Sequence, residues 1–553
     1  MTRMQLELIR GCRLHRLSQA APPERERERE ISSPYHNMHR LHRLTNLIGV
    51  QWPRAAPPPM VLESLPTELL VRILMYLELE TLSRCDQLIS RLFHGIDSPV
   101  EKALRELANI GGFGVPKTLP SNQANWTQAL LFSAMLRRDS HRNLVASLEL
   151  HSAFVDADGT CLICGDDSDP EQPIDSYTRY YPRLLGPSVH ELVELVRSIP
   201  KPIRGLEGVR VQSIAAGYAH NLVLATDGTT FSWGMGWDGQ LGHGDQAHVE
   251  IPKRIMGLIN VRGLAAAYGH SLAFTSDGTL WSWGEDIQNG ALGHGDDEPE
   301  FELRPRRLDA LAEKCICAVA ADSAGNGSSY AVDTDGGSFA WGGALCLDNE
   351  PTLPVRIPAL CGERVSTIAA YEWRGCATTW EGDLWQWGKW VGVELLPTPL
   401  KGTPLDGHRV VSVAISSFIC LALTDDGTVF SWACDAARQN NCKYRRIHLL
   451  EPLGHGDGPD ASDELLHTPR PLKALLSHRI CSIAAGGRSA IAAGCANTTA
   501  ASATDGEAAA ALCPKPWACW TWGSTDEGYK PLLGHGTSRD NTNVPRRVMA
   551  IGA

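Results

Sequence analysis

The sequence predicts a mainly β protein: a seven-bladed β-propeller, preceded by a small all-α helical segment and a disordered N-terminal tail. Three observations predict it. An acid-Gly dipeptide recurs six residues before an aromatic position along residues 143–553. The residues around each dipeptide alternate with the period of a strand, two residues per repeat. Upstream, residues 62–138 follow the period of a helix instead.

The repeats come first, because a repeat decides the fold. Asp158-Gly159, Asp227-Gly228, Asp277-Gly278, Asp335-Gly336, Glu381-Gly382 and Asp426-Gly427 precede Cys164, Trp233, Trp283, Trp341, Trp387 and Trp432 in turn. A seventh unit holds Trp520 and Trp522, its hairpin stretched by an Ala-rich insertion at 495–517. An acid-Gly pair tolerates the positive φ of a two-residue hairpin turn. A second aromatic stands two residues before most of these tryptophans, so both rings share one strand face. So much aromatic area must be covered, most simply by the next copy, and seven stacked copies close a ring. The residues expected to build the blades are Gly228, Trp233, Gly278, Trp283, Gly336, Trp341, Trp387, Gly427, Trp432 and Trp522.

The preceding segments divide at composition changes. Residues 1–60 contain the alternation ERERERE at 24–30 and a Pro-rich end, and they read as a disordered tail. In LPTELLVRILMYL, the apolar residues Leu65, Leu69, Leu70, Ile73, Leu74 and Leu77 form one helical stripe. Pro66 and Glu68 suit the start of that helix. Amphipathic pieces follow at 82–96, 100–110 and 125–138. The expected divisions are thus a tail at 1–60, helices at 61–98, a helical linker or cap at 99–142 and the ring at 143–553.

Charge and cysteine usage narrow the function. The net charge of −12 is concentrated in residues 143–553, which carry 32 basic against 49 acidic side chains. An acidic ring disfavours nucleic acid, whose binding rests on neutralising phosphates, and favours a target protein with a basic surface. Sixteen cysteines at this length form no dense framework, which points to a reducing compartment, cytoplasmic or nuclear. No apolar run reaches membrane-spanning length. The basic first twenty residues leave an organellar transit peptide as the alternative. Nucleotide-loop and nucleophile-elbow motifs are missing, so no catalytic residue, cofactor or metal is expected.

Two stretches resemble known families. IAAGYAHNLVLATDGTTFSWG with GQLGHGD and PKRI at 214–255, and its counterparts at 265–308 and 413–433, resemble repeats of the regulator of chromosome condensation family. Leu65, Pro66, Glu68, Leu69, Leu70, Ile73, Leu74, Tyr76 and Leu77, then Leu82, Ser90, Arg91 and Phe93, resemble an F-box. The F-box resemblance implies a substrate-recognition subunit of a Skp-cullin-F-box ubiquitin ligase. Its adaptor contacts would be Leu65, Pro66, Leu69, Leu70, Ile73, Leu74, Leu77, Leu82 and Phe93, with a target protein held by the ring. The propeller resemblance implies an alternative partner, a Ran-like small GTPase whose nucleotide exchange the ring would promote. A plain interaction scaffold is the third reading.

Three sequence features look like sites. The word LGHG recurs at 241–244, 292–295, 453–456 and 533–536. Equivalent positions of a ring do not converge on one metal, so its histidines are expected to serve turns. Cys161 and Cys164 sit on one strand with side chains facing opposite ways, and Cys315 and Cys317 read as strand filling. LGHG is missing from units one, four and five, which marks them as blades released from the common pattern, and unit five also gathers Trp373, Trp380 and Trp390. The insertions 167–208, 435–468 and 495–517 are the expected target contacts.

Overall fold

The computed structural model describes Val71, Leu74 and Met75, residues 99–110, four positions between 130 and 136, and residues 143–548 with internal gaps, the longest at 166–199, 435–452, 496–516 and 524–541. Two units are resolved by their contacts, 1–77 and 78–553, a boundary that falls within 61–98. In the first, Val71 and Leu74 are helical and buried, and the Met75 amide donates to the Val71 carbonyl at 3.0 Å. Leu65, Pro66, Leu69, Leu70, Ile73, Leu77, Leu82 and Phe93 lie outside the described residues.

In the second unit, helix Pro99–Ile110 forms where the amphipathic pattern places it, with Ala103 and Leu104 buried. The strands then form seven antiparallel sheets, each of four strands in sequence order. The blades span 145–202, 211–254, 261–307, 316–356, 365–399, 410–471 and 479–547. Their first strands contact one another in a closed cycle and line the centre, with that of blade one against that of blade seven.

The hairpins sit where acid-Gly turns were expected. Asp227, Asp277 and Asp426 each accept the amide two residues on, at 2.8, 3.1 and 2.9 Å. Gly336 shows why glycine is needed: its φ is +86°, and a Cβ there would stand 2.6 Å from Arg364 Cα of the next blade. The hairpin carbonyl is thereby free to accept the next blade's first strand, as Gly336 does from Val365 at 3.0 Å and Gly382 from Val410 at 3.0 Å.

The core lies between blades. Trp233, Trp283, Trp341, Trp387 and Trp522 are fully buried, and Trp432 nearly so. Each covers the preceding blade rather than being covered by the next. Trp283 packs with Ala215, Leu222 and Leu224 of blade two, and Trp341 with Leu272 and Phe274 of blade three. The strand pattern fixes that a face is buried, but the direction of packing depends on the hand of the ring. Six of the seven interfaces hold such a Trp. The seventh, from blade one back to blade seven, holds Cys164 and Leu162. Cys161 is buried on the opposite face, among residues of blades one and two. Cys315 departs from its expected role: it is exposed, just before the strand Ile316–Ala321.

Candidate functional site: the turn face of the ring

A four-stranded meander sends its first turn and its third connection to one end, and its hairpin and interblade connection to the other. The turn face therefore carries the LGHG loops at 241–244, 292–295 and 453–456 and the boundaries of the insertions at 167–208 and 435–468, while the LGHG at 533–536 lies outside the described residues. The Ala-rich insertion at 495–517 joins strands of blade seven at the hairpin face.

LGHG is a fastening of this face. Ser232, Ser282 and Ser431, each just before the blade's Trp, donate to the carbonyls of Leu241, Leu292 and Leu453 at 2.7, 2.9 and 2.6 Å. With the hydroxyl proton so used, Nε2 of His243, His294 and His455 donates to the Oγ atoms of Ser232, Ser282 and Ser431 at 3.0, 2.9 and 2.9 Å. This fixes the neutral rings as Nε2–H tautomers. Burial holds the His243 and His455 pKa values down at about 4, with the cations Lys253 and Arg470 adding to the effect. The first glycine of the word admits the next blade's Trp: a Cβ on Gly293 would stand 2.9 Å from Trp341 Nε1. That indole donates to the Ala291 carbonyl at 2.8 Å.

A polar belt runs beneath the turns. His151 Nε2 lies 2.8 Å from Asn221 Oδ1, His220 Nε2 lies 2.9 Å from Ser271 Oγ, and His270 Nε2 lies 2.8 Å from Ser329 Oγ. Each bond joins one blade to the next. Burial depresses these imidazoles, His220 to about 3 and His270 to about 4, so the belt is neutral. The equivalent position of blade four is Ser328 and that of blade five is Arg374.

Blade five differs as its sequence suggests. Arg374 is 5% exposed, and its Nη1 donates to the Ser417 carbonyl, the Cys434 carbonyl and Cys434 Sγ at 3.1, 3.2 and 3.1 Å. Its Nη2 pairs with Glu372 at 2.7 Å. Glu372 holds a left-handed φ of 52°, and its amide donates to the buried Asp322 carboxylate at 2.6 Å. Ser417 Oγ donates to Tyr371 Oη at 2.8 Å. One cluster thus ties blades four, five and six. Burial pushes the Cys420 thiol well up, and hydrogen bonds to Cys376 and Cys434 push it further, so this is no nucleophile. Trp373 lies outside the described residues.

A second feature spans blades two and three. The Tyr218 and Tyr268 rings meet at 4.6 Å, and exposed Trp237 packs edge-on with His248 at 4.7 Å. Glu285 is raised to about 7, by partial burial first and then by Asp238 and Glu300, and burial also raises Asp238. Among the described residues no group of three His, Cys, Asp or Glu side chains is placed to hold a metal ion. No described helix is long and apolar enough to cross a membrane. The hairpin face is engaged at blade six by helical residues: Phe132 lies against Gly427, and Ser133 Oγ donates to Asp425 at 3.3 Å.

Comparison with known proteins follows this geometry. The model of the regulator of chromosome condensation (RCC1) repeat matches residues 227–274 and 277–332. Each match starts at a hairpin and ends in the second strand of the next blade, so the sequence repeat straddles two blades. Human E3 ubiquitin-protein ligase HERC2 is 29% identical over 262 residues, 44% of this chain and 5% of HERC2. The Ultraviolet-B receptor UVR8 of Arabidopsis thaliana is 30% identical over 301 residues, 51% of this chain and 62% of the receptor. The alignments thus span under two thirds of either relative. Crystalline Prp20p of Saccharomyces cerevisiae superposes with a TM-score of 0.52 at 20% identity, over 75% of this chain and 89% of that one, a likeness of fold. Residues 227–332 of this chain carry regulator of chromosome condensation repeats, within a seven-bladed β-propeller.

Proposed function

We propose that the chain is the substrate-recognition subunit of a Skp-cullin-F-box ubiquitin ligase. The observation that carries this reading is the word LPTELLVRILMYL, helical at Val71 and Leu74, ahead of a propeller. An amphipathic helix laid in a groove is an established docking mode. Leu65, Pro66, Leu69, Leu70, Ile73 and Leu74 are the proposed adaptor contacts, continued by Leu77, Leu82 and Phe93. The turn face is the proposed target surface. It presents Trp237, Tyr268 and Glu372 beside two insertions, and its raised carboxyls favour a basic target. HERC2 bears the name of a ubiquitin ligase, which supports the same class of function. The chain supplies proximity between target and ubiquitin carrier, and the chemistry belongs to the assembled complex.

Replacing Leu69 and Leu70 by Asp tests the reading. Adaptor capture should fall by at least about tenfold, the loss expected when apolar anchors leave a groove, while the circular dichroism of the ring is unchanged. Undiminished capture overturns it. Accelerated nucleotide release from a Ran-type GTPase by the same protein would favour the exchange-factor reading instead.

A further inference from the structure

We infer that the helical residues around Phe132 and Leu136 are the clasp that closes the ring. A propeller closes most securely when one sheet takes strands from both ends of the chain. Among the described strands no sheet does: blade one is built from 145–202 and blade seven from 479–547. Among the described residues the seam between them is held through side chains. It is also the one interface without an inserted Trp, having Cys164 and Leu162 at the two positions occupied by Trp522 and Trp520 in blade seven. Its described polar links are few. The Leu144 amide donates to Ser482 Oγ at 3.1 Å, and Ser147 Oγ lies 2.9 Å from Ser489 Oγ.

The helical residues reinforce this place. Leu130, Phe132, Ser133 and Leu136 are all buried. Phe132 and Leu136, one helical turn apart, share a single apolar cluster that runs from blade six (Leu421, Leu423) through blade seven (Ile480, Ile491) to Val145, Phe154 and Cys164 of blade one. Arg479 of blade seven lies over the Phe132 ring at 5.9 Å, and Ser133 reaches Asp425 of blade six. The chain then enters blade one at Asn143. The helix therefore holds blades six and seven from below and is continuous with blade one, the arrangement of a strap across a joint.

Hydrogen exchange on the full chain tests this. In Phe132→Ala/Leu136→Ala, amides of Val145–Ser147 and Arg479–Gly486 should exchange at least about tenfold faster, while His270–Thr275 and Ser329–Asp333 are unchanged. Adding Ser147→Cys and Ser489→Cys, oxidised to a disulfide across the seam, should restore slow exchange. Should the double variant not fold, the bridged form should recover folded protein. Even loss of protection around the ring, no loss at the seam, or no rescue by the bridge overturns the clasp.

Discussion

At the residue scale, two glycines with nearly the same backbone separate conformation from packing. Gly293 has φ +77° and the Trp341 indole against it, whereas Gly402 has φ +73° and nothing within 4 Å of a Cβ. Gly402→Ala should cost about 1 kcal/mol of strain, and Gly293→Ala about 1–3 kcal/mol more from overpacking. Urea denaturation of both variants reads the difference. Glu285 gives a second case. Its folded pKa of about 7 lies above the ordinary 4.5, so above pH 7 the fold keeps a carboxylate that burial and Asp238 disfavour. Glu285→Gln should therefore raise the melting temperature at pH 8 and change it little at pH 5. A lower melting temperature at pH 8 contradicts this electrostatic account. The paired loss of Ser and LGHG is legible in the sequence alone. Units with the motif have Ser232, Ser282, Ser431 or Thr521 before the Trp, and those without have Ile163, Ala340 or Gln386. The reach of Arg374 into blade six is not legible, because its partners are main-chain carbonyls and a Cys 60 positions away.

At the element scale, period and turn chemistry carry most of the fold. The acid-Gly offset locates each hairpin, and the alternating strands around it need no tertiary knowledge. What escapes the sequence is which neighbour covers which face. Periodicity is the same for a Trp covering the blade behind or the blade ahead, and only the assembled ring decides. The fourth strands were also faint, since Lys201–Pro202, Val355–Arg356 and Arg470–Pro471 have two residues each. They are edges, and Pro with charge keeps them short and unattractive to further strands. Docking through Leu69 and Leu70 and clasping through Phe132 and Leu136 are likewise claims about single helix faces. Leu74, proposed as an adaptor contact, is buried, so docking asks that face to open.

At the scale of the whole molecule, the polar belt makes the ring sensitive to acid. His151, His220 and His270 are held below their ordinary value by burial, so they fold neutral. Unfolding lets each bind a proton once pH falls below about 6.5. Their contribution is complete above that pH and is lost progressively toward pH 4. The melting temperature should fall steeply from pH 6.5 to 4.5, and His270→Gln should flatten that slope. An unchanged slope would place the acid sensitivity elsewhere.

Because each blade takes all four strands from one continuous stretch, order in space is also order in synthesis. Blades one to six can each be complete before the next leaves the ribosome, and every new Trp finds the finished surface it covers. The face of blade one with Cys164 and Leu162 has the opposite fate. It is made first and waits until Arg479–Gly486 and Ser489–Cys495 exist, so the nascent protein carries one uncovered apolar face through most of its translation.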